Sequence, residues 1–194
     1  MKKFKFKFIR LVIKFWKSYR RIVYWVISDN KPLGNPICEQ PLLSCGKGAI
    51  EFQGKVSLGV RSSPYFFSTH IYMEARNETA KIIIKNGTMI NNGFSVIAEH
   101  SSVEIGENCL IGYYVEIVDS NFHGVKIEER HSSHHESARP VIIESDVFIG
   151  SNVKIMKGVR ISHGSVIANG SVVVKDIPPL VIAGGNPARV IRSI

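Results

Sequence analysis

With 194 residues, 44% of them hydrophobic, the chain is long enough for about one domain with a sizeable core. The formal charge of +9 would suit a nucleic-acid binder, but nine of the cations fall within residues 1–30 against the single acid Asp29, so the remaining body is nearly neutral and that class is disfavoured. Three cysteines, Cys38, Cys45 and Cys109, form no CxxC and no paired framework, which favours a reducing, cytoplasmic setting and speaks against thiolate metal binding.

Residues 1–30 open with Phe4, Phe6 and Phe8 alternating against lysines and then take up a helical rhythm. Ile9, Val12, Ile13, Trp16, Val23, Val26 and Ile27 lie along one side of that helix, and Arg10, Lys14, Lys17 and Arg21 along the other. Charges recur through the apolar stretch and no small-residue cleavage site follows, so the segment is not expected to be a signal peptide. Its longest uncharged run, Ile22 to Ser28, is far short of the roughly 20 residues that span a bilayer. Two readings stand: residues 1–27 lie as a peripheral helix on an anionic membrane, or the apolar side packs across the first coils or a neighbouring subunit with the basic side solvated.

Residues 31–79 read as a connector followed by early coils. Pro32, Gly34, Pro36 and Pro41 break any regular element, and Ile50–Lys55 and Val56–Gly59 are strand-like. His70, without a recognisable partner, reads as structural. From 80 to 178 the pattern becomes strict. Ile143, Ile149, Ile155, Ile161, Ile167 and Val173 recur every sixth residue, often followed by a small residue, with Val147, Val153, Val159 or Ser171 at the fifth position. A period near 3.6 cannot keep such a repeat on one face, and a flat half-buried strand would show period two. Six residues suit a short strand plus a turn. Three such phrases close a triangular coil, and stacked coils form a parallel β-helix. The interval from Ile117 to Ile143 is not a multiple of six, so a loop, 119–139, leaves the stack there, and an interruption in so regular a solid is a natural place for a site. Residues 179–194 form a C-terminal tail in which Gly184-Gly185 marks the bend back from the last coil.

The loop carries Asp119-Ser120-Asn121-Phe122-His123-Gly124, and the tail carries Ser171-Val172-Val173-Val174-Lys175-Asp176 and Ala183-Gly184-Gly185-Asn186-Pro187-Ala188-Arg189. With the hexads, these phrases resemble the hexapeptide-repeat O-acyltransferases, a group that includes maltose and galactoside acetyltransferases, streptogramin-type xenobiotic acetyltransferases, and capsule, colanic-acid and O-antigen acetyltransferases. The resemblance implies an all-β, left-handed parallel β-helix, assembled as a homotrimer with sites between subunits. It implies His123 as general base, because an alcohol attacks a thioester poorly unless an imidazole takes its proton. Asp119 either orients that ring or caps the turn, and Asn92 either holds the substrate or satisfies a corner of the helix. Acetyl-CoA is the implied cosubstrate, with Ser151, Asn169, Val174, Lys175 and Arg189 at the matching positions, Arg192 as a further candidate near the phosphates, and the Ser151 amide as an oxyanion donor.

No P-loop or dinucleotide fingerprint competes. His131, His134 and His135 cluster in the inserted loop, and the coils offer only His163 and His100 without a matching pair, so the zinc of γ-carbonic-anhydrase-type β-helices is not expected. The reading is therefore an acetyl-CoA-dependent O-acetyltransferase acting on a sugar hydroxyl of a cell-surface polysaccharide or its precursor. It would be cytoplasmic, at most peripheral on the inner face of the membrane, and without a nucleic-acid partner. An antibiotic acetyltransferase and a non-catalytic β-helix scaffold are the alternatives.

Overall fold

The structure is a computed structural model that describes residues 2–133 and 137–194, with side chains from Lys7 onward. A long helix, α1 (Lys2–Ile27), precedes a stack of very short strands. The first rung comprises β1 (Ile37–Cys38), β2 (Leu42–Cys45) and β3 (Ala49–Phe52), and the second β4 (Ser57–Leu58), β5 (Ile71–Ala75) and β6 (Lys81–Ile84). The third comprises β7 (Met89–Ile90), β8 (Ser95–Ala98) and β9 (Ser102–Ile105), and the fourth β10 (Leu110–Ile111), β11 (Glu116–Val118) and β12 (Val141–Ile143). Then come β13 (Phe148–Ile149), β14 (Lys154–Ile155) and β15 (Arg160–Ile161), followed by β16 (Val166–Ile167) and β17 (Val172–Val173). The chain closes with β18 (Val181–Gly185) and β19 (Ala188–Ser193).

Every third strand pairs in parallel with the one before it, giving three faces. The first face runs β1-β4-β7-β10-β13-β16-β18, the second β2-β5-β8-β11-β14-β17 and the third β3-β6-β9-β12-β15. This is the left-handed parallel β-helix, with β19 folded back antiparallel on β18. The stack starts inside the segment read as a connector, since β1 pairs with β4 and Leu33 bridges Glu51. Of the first rung, β3 falls in the strand-like Ile50–Lys55 stretch, whereas β1 and β2 stand between Pro36 and Pro41 and just after it, where the breakers mask the repeat.

The six-residue period is explained by burial. Ile143, Ile149, Ile155, Ile161, Ile167 and Val173 are 0–1% exposed, and Val147, Val153, Val159, Ser165 and Ser171 are buried beneath them. The residue preceding each aliphatic points outward, so each hexad contributes two walls to a continuous core. Where the chain turns a corner, the fourth residue of the hexad takes a positive φ, which selects Gly, Asn or Asp, as at Asn108 (55°), Asp146 (60°), Asn152 (58°) and Gly170 (71°). Two bulky residues break that rule, Tyr114 (52°) and Leu180 (56°), and outside the hexads Tyr65 (65°) and Phe122 (62°) share the conformation. Such a residue is strained by about 1–3 kcal/mol.

The helix departs from expectation in two ways. It is helical from Lys2, through the alternating phenylalanines. More important, the stripe turned to the body is a mixed one, Ile13, Lys17, Arg20, Val23 and Tyr24, which takes only Ile13 and Val23 from the apolar side. Lys17 pairs with Glu39, Arg20 donates to the carbonyls of Phe66 and Thr69, and the Tyr24 hydroxyl lies 3.2 Å from Nδ1 of His70. A carboxylate and two carbonyls with room for a second donor attract the two cations of this stripe. Leu11, Phe15, Tyr19, Ile22 and Val26 are left 52–70% exposed on the other side.

Candidate active site

The loop at 119–139 leaves the vertex between the second and third faces, and its root is tied down by two buried acids. Asp119, fully buried, accepts from three main-chain amides of the rung below: Oδ1 from Glu99 (2.7 Å), Oδ2 from His100 (3.3 Å) and Ser101 (2.7 Å). Its own carbonyl accepts from the Arg139 amide at 2.8 Å, which closes the neck of the loop. Glu99, 3% exposed, bonds the hydroxyls of Ser120 and Ser133, one near each end of the described loop, and pairs with Arg76 at 3.3 Å. Ser120 Oγ in turn accepts from the Phe122 amide at 3.0 Å, and the Arg76 guanidinium lies 4.8 Å from the centre of the Phe122 ring. His123 follows directly, exposed, with no hydrogen bond to its ring among the described residues. Asp119 thus holds the turn, not the imidazole, because both its oxygens are taken by backbone.

Arg76 and Glu99 escaped the sequence reading. They lie one rung apart, stacked by the fold, and nothing in the hexad pattern marks them. Burial alone would raise the Glu99 carboxyl, but the Ser120 and Ser133 hydroxyls and Arg76 outweigh it and hold the group below its ordinary value. A depressed acid stabilises the fold above the ordinary carboxylate range and loses that contribution as pH falls through its folded value. The difference in melting temperature between wild type and Glu99→Gln is therefore expected to shrink as pH is lowered from neutral into that range; a constant difference would detach Glu99 from the loop's stability.

Asn92, also fully buried, spends its side chain on a second excursion, residues 60–70, at the vertex between the first and second faces. Its Oδ1 accepts from Val60 at 2.9 Å and its Nδ2 donates to Val60, Ser63 and Pro64. Gln40, equally buried, holds the same segment through the carbonyls of Tyr65, Phe66 and Thr69. Above Asn92 on this vertex stand Tyr113-Tyr114, then Ser151-Asn152, then Asn169-Gly170, linked by main-chain bonds from Tyr114 to Asn92, Asn152 to Tyr113 and Gly170 to Ser151. The Ser151 amide donates to Oδ1 of Asn169 at 2.8 Å, so those two cosubstrate candidates meet, and the amide already has an acceptor.

Arg189 reaches the same vertex on the β18–β19 hairpin, its Nη1 donating to the Ala188 carbonyl. Arg192 likewise donates to Ser193. Val174, 44% exposed, and Lys175 instead lie at the vertex of His123. The candidates are therefore divided between two vertices. The second face between them runs from Tyr114 to Asp119, about 16 Å at roughly 3.3 Å per residue. Among the described residues no group of three His, Cys, Asp or Glu side chains converges as a metal site, and His134 and His135 lie outside the described residues.

A family model described as the hexapeptide repeat of succinyl-transferase matches residues 102–130 and 140–175. The chain is 42% identical over 114 residues to a polysialic acid O-acetyltransferase of Escherichia coli O1:K1, a stretch that is 58% of this chain and 36% of that protein. Among solved structures, a hexapeptide-repeat acetyltransferase of Vibrio cholerae O1 biovar eltor complexed with acetyl coenzyme A superimposes with a TM-score of 0.54 at 25% identity, covering 93% of this chain and 87% of that one. A galactoside acetyltransferase in complex with coenzyme A gives 0.57 at 25% identity, covering 94% and 82%. The chain thus carries hexapeptide repeats of the kind that model describes and shares the fold of these acetyltransferases. It spans about a third or less of the length of the curated relatives it matches.

Proposed function

We propose that the chain is an acetyl-CoA-dependent O-acetyltransferase that esterifies a sugar hydroxyl of a cell-surface polysaccharide or its precursor, working as a homotrimer in the cytoplasm at the membrane surface. The observation that carries this reading is the exposed, unbonded imidazole of His123 on a loop root held by two buried acids. The acetyl coenzyme A and coenzyme A complexes of the structural relatives support the donor, and the polysialic acid O-acetyltransferase supports a glycan acceptor.

In the ternary complex His123 takes the proton of the sugar hydroxyl as its oxygen bonds to the thioester carbonyl carbon. The carbon–sulfur bond then breaks, and the imidazolium returns the proton to the departing thiolate of coenzyme A, leaving an O-acetyl ester and a thiol. Histidine suits both halves because its side chain ordinarily titrates near neutral pH. Direct transfer needs no acyl-enzyme.

The division of the candidates between two vertices supports a site shared between protomers. The first face also carries an exposed apolar ladder in register, Met89, Leu110 and Phe148, 47–48% exposed, of the kind a second copy covers. Unfolding and co-refolding His123→Ala with Asn169→Ala should yield hybrid trimers in which some sites have both vertices intact. Activity several-fold above either parent is expected. No gain on mixing would mean that one protomer holds the whole site.

No described helix is long and apolar enough to cross a membrane. The exposed row Leu11, Phe15, Tyr19, Ile22 and Val26 beside a basic row instead suits an anionic lipid surface, where each cation adds about 1 kcal/mol. Phe15→Asp with Ile22→Asp should release the protein from phosphatidylserine vesicles in a sedimentation assay while the trimer persists. Undiminished pelleting would remove the membrane from the proposal, and dissociation would assign the row to a subunit contact.

A further inference from the structure

Three tyrosines meet at the vertex between the first and second faces. The Tyr65 ring lies 4.6 Å from Tyr114 and 5.5 Å from Tyr113, with the planes tilted by 58° and 59°. Tyr65 and Tyr114 remain 45% and 40% exposed. Both hold a positive φ, and at Tyr114 the hexad places a ring where the other corners of the stack, Leu180 apart, carry Gly, Asn or Asp. Gly93 leaves room for it, because a Cβ there would come within 2.9 Å of the Tyr114 ring carbons Cδ1 and Cε1. Gln40 and Asn92, both fully buried, hold the segment that presents Tyr65 through its main chain. Backbone strain at two exposed rings, each supported from beneath, points to a surface kept for contact and not for folding.

The chemistry of the patch narrows the ligand. Tyrosine offers an apolar face and a polar hydroxyl at its rim. A pyranose ring has a matching form, with a C–H face that lies on an aromatic plane and equatorial hydroxyls that reach donors at the edge. Thr69 and Ser68 close the Tyr65 turn beside the rings and add hydroxyls. The patch stands one rung, about 5 Å, below Ser151 and two below Asn169. We propose that Tyr65, Tyr113 and Tyr114 form a docking platform for a pyranose unit of the acceptor glycan, next to the donor-binding column. The inference rests on the transferase reading for its location, but the binding surface can be tested without the reaction.

Glycine accepts the backbone angle at both positions without strain, so Tyr65→Gly and Tyr114→Gly remove the rings and leave the fold intact. Saturation-transfer NMR on the 194-residue protein, with tetrasialic acid and with maltotetraose as probes, reads binding directly. The expected result is transfer to one of the two sugars in wild type, its loss in both variants, and a melting temperature unchanged or raised. In the acetyl-CoA assay the variants should raise the acceptor KM at least tenfold, with kcat and the donor KM within about threefold of wild type. No sugar signal in wild type, a signal that survives both substitutions, or dissociation of the trimer on ring removal would each overturn the platform. Absence of transfer by a wild type that still binds sugar through these rings would instead count against the transferase reading.

Discussion

If His123 is the general base of the proposed transfer, replacing it with alanine should lower acceptor-dependent release of thiol from acetyl-CoA by about 10²- to 10⁴-fold, the usual contribution of a positioned general base. The size follows from the proposed acceptor. A sugar hydroxyl is a poor nucleophile while it keeps its proton, and the two acids at this loop root are not available to take it: Asp119 and Glu99 are buried and committed to amides, hydroxyls and Arg76. The melting temperature of His123→Ala should stay close to that of wild type, because the imidazole makes no hydrogen bond in the described structure. Such a split, activity lost and stability kept, separates chemistry from architecture. A rate within threefold of wild type would dismiss the histidine from the mechanism.

Asp119→Ala should show the reverse order of effects. The substitution strands three amide donors on Glu99, His100 and Ser101 in a setting where the side chain is fully buried, and each unsatisfied buried donor costs about 1–3 kcal/mol. Partial relaxation keeps the sum below simple addition, so a loss of about 3 kcal/mol or more is expected, near 10 °C in melting temperature for a chain of this size. Activity falls with it, because the three freed amides loosen the backbone from which the His123 loop departs. Asp119→Asn should fall between, since its carbonyl oxygen serves some of the amides while its NH₂ faces another donor. Thermal denaturation followed by circular dichroism measures both; an unchanged melting temperature for Asp119→Ala would remove the anchor assigned here.

The core was written in the sequence because each hexad had to bury its first residue. Six aliphatics at one spacing from Ile143 to Val173 permit few other solids, and the break after Ile117 located the larger loop. Other parts were hidden for physical reasons. The start of the first rung is hidden among prolines, and the helix docks in part through cations that a pattern of apolar residues assigns to solvent. Asn92 and Asp119 were legible as residue types at the right places, but whether a buried amide or carboxylate serves substrate or backbone depends on atoms from other rungs. One signal was available and unread. Corners that admit Gly, Asn or Asp make Tyr114 conspicuous, in the same way that a glycine is conspicuous in a helix.

The parallel stacking has a consequence for how this architecture can change. Successive rungs repeat at about 4.8 Å, so groups along a vertex sit on the marks of a ruler and can be moved only by whole divisions. Inserting one complete eighteen-residue turn between the fourth rung and the C-terminal hairpin would shift Arg189 away from Tyr114 by one mark, leaving His123 and its anchors untouched. The reach of the proposed donor column and the grip of the proposed platform would in this sense be separately adjustable lengths of a single extruded section.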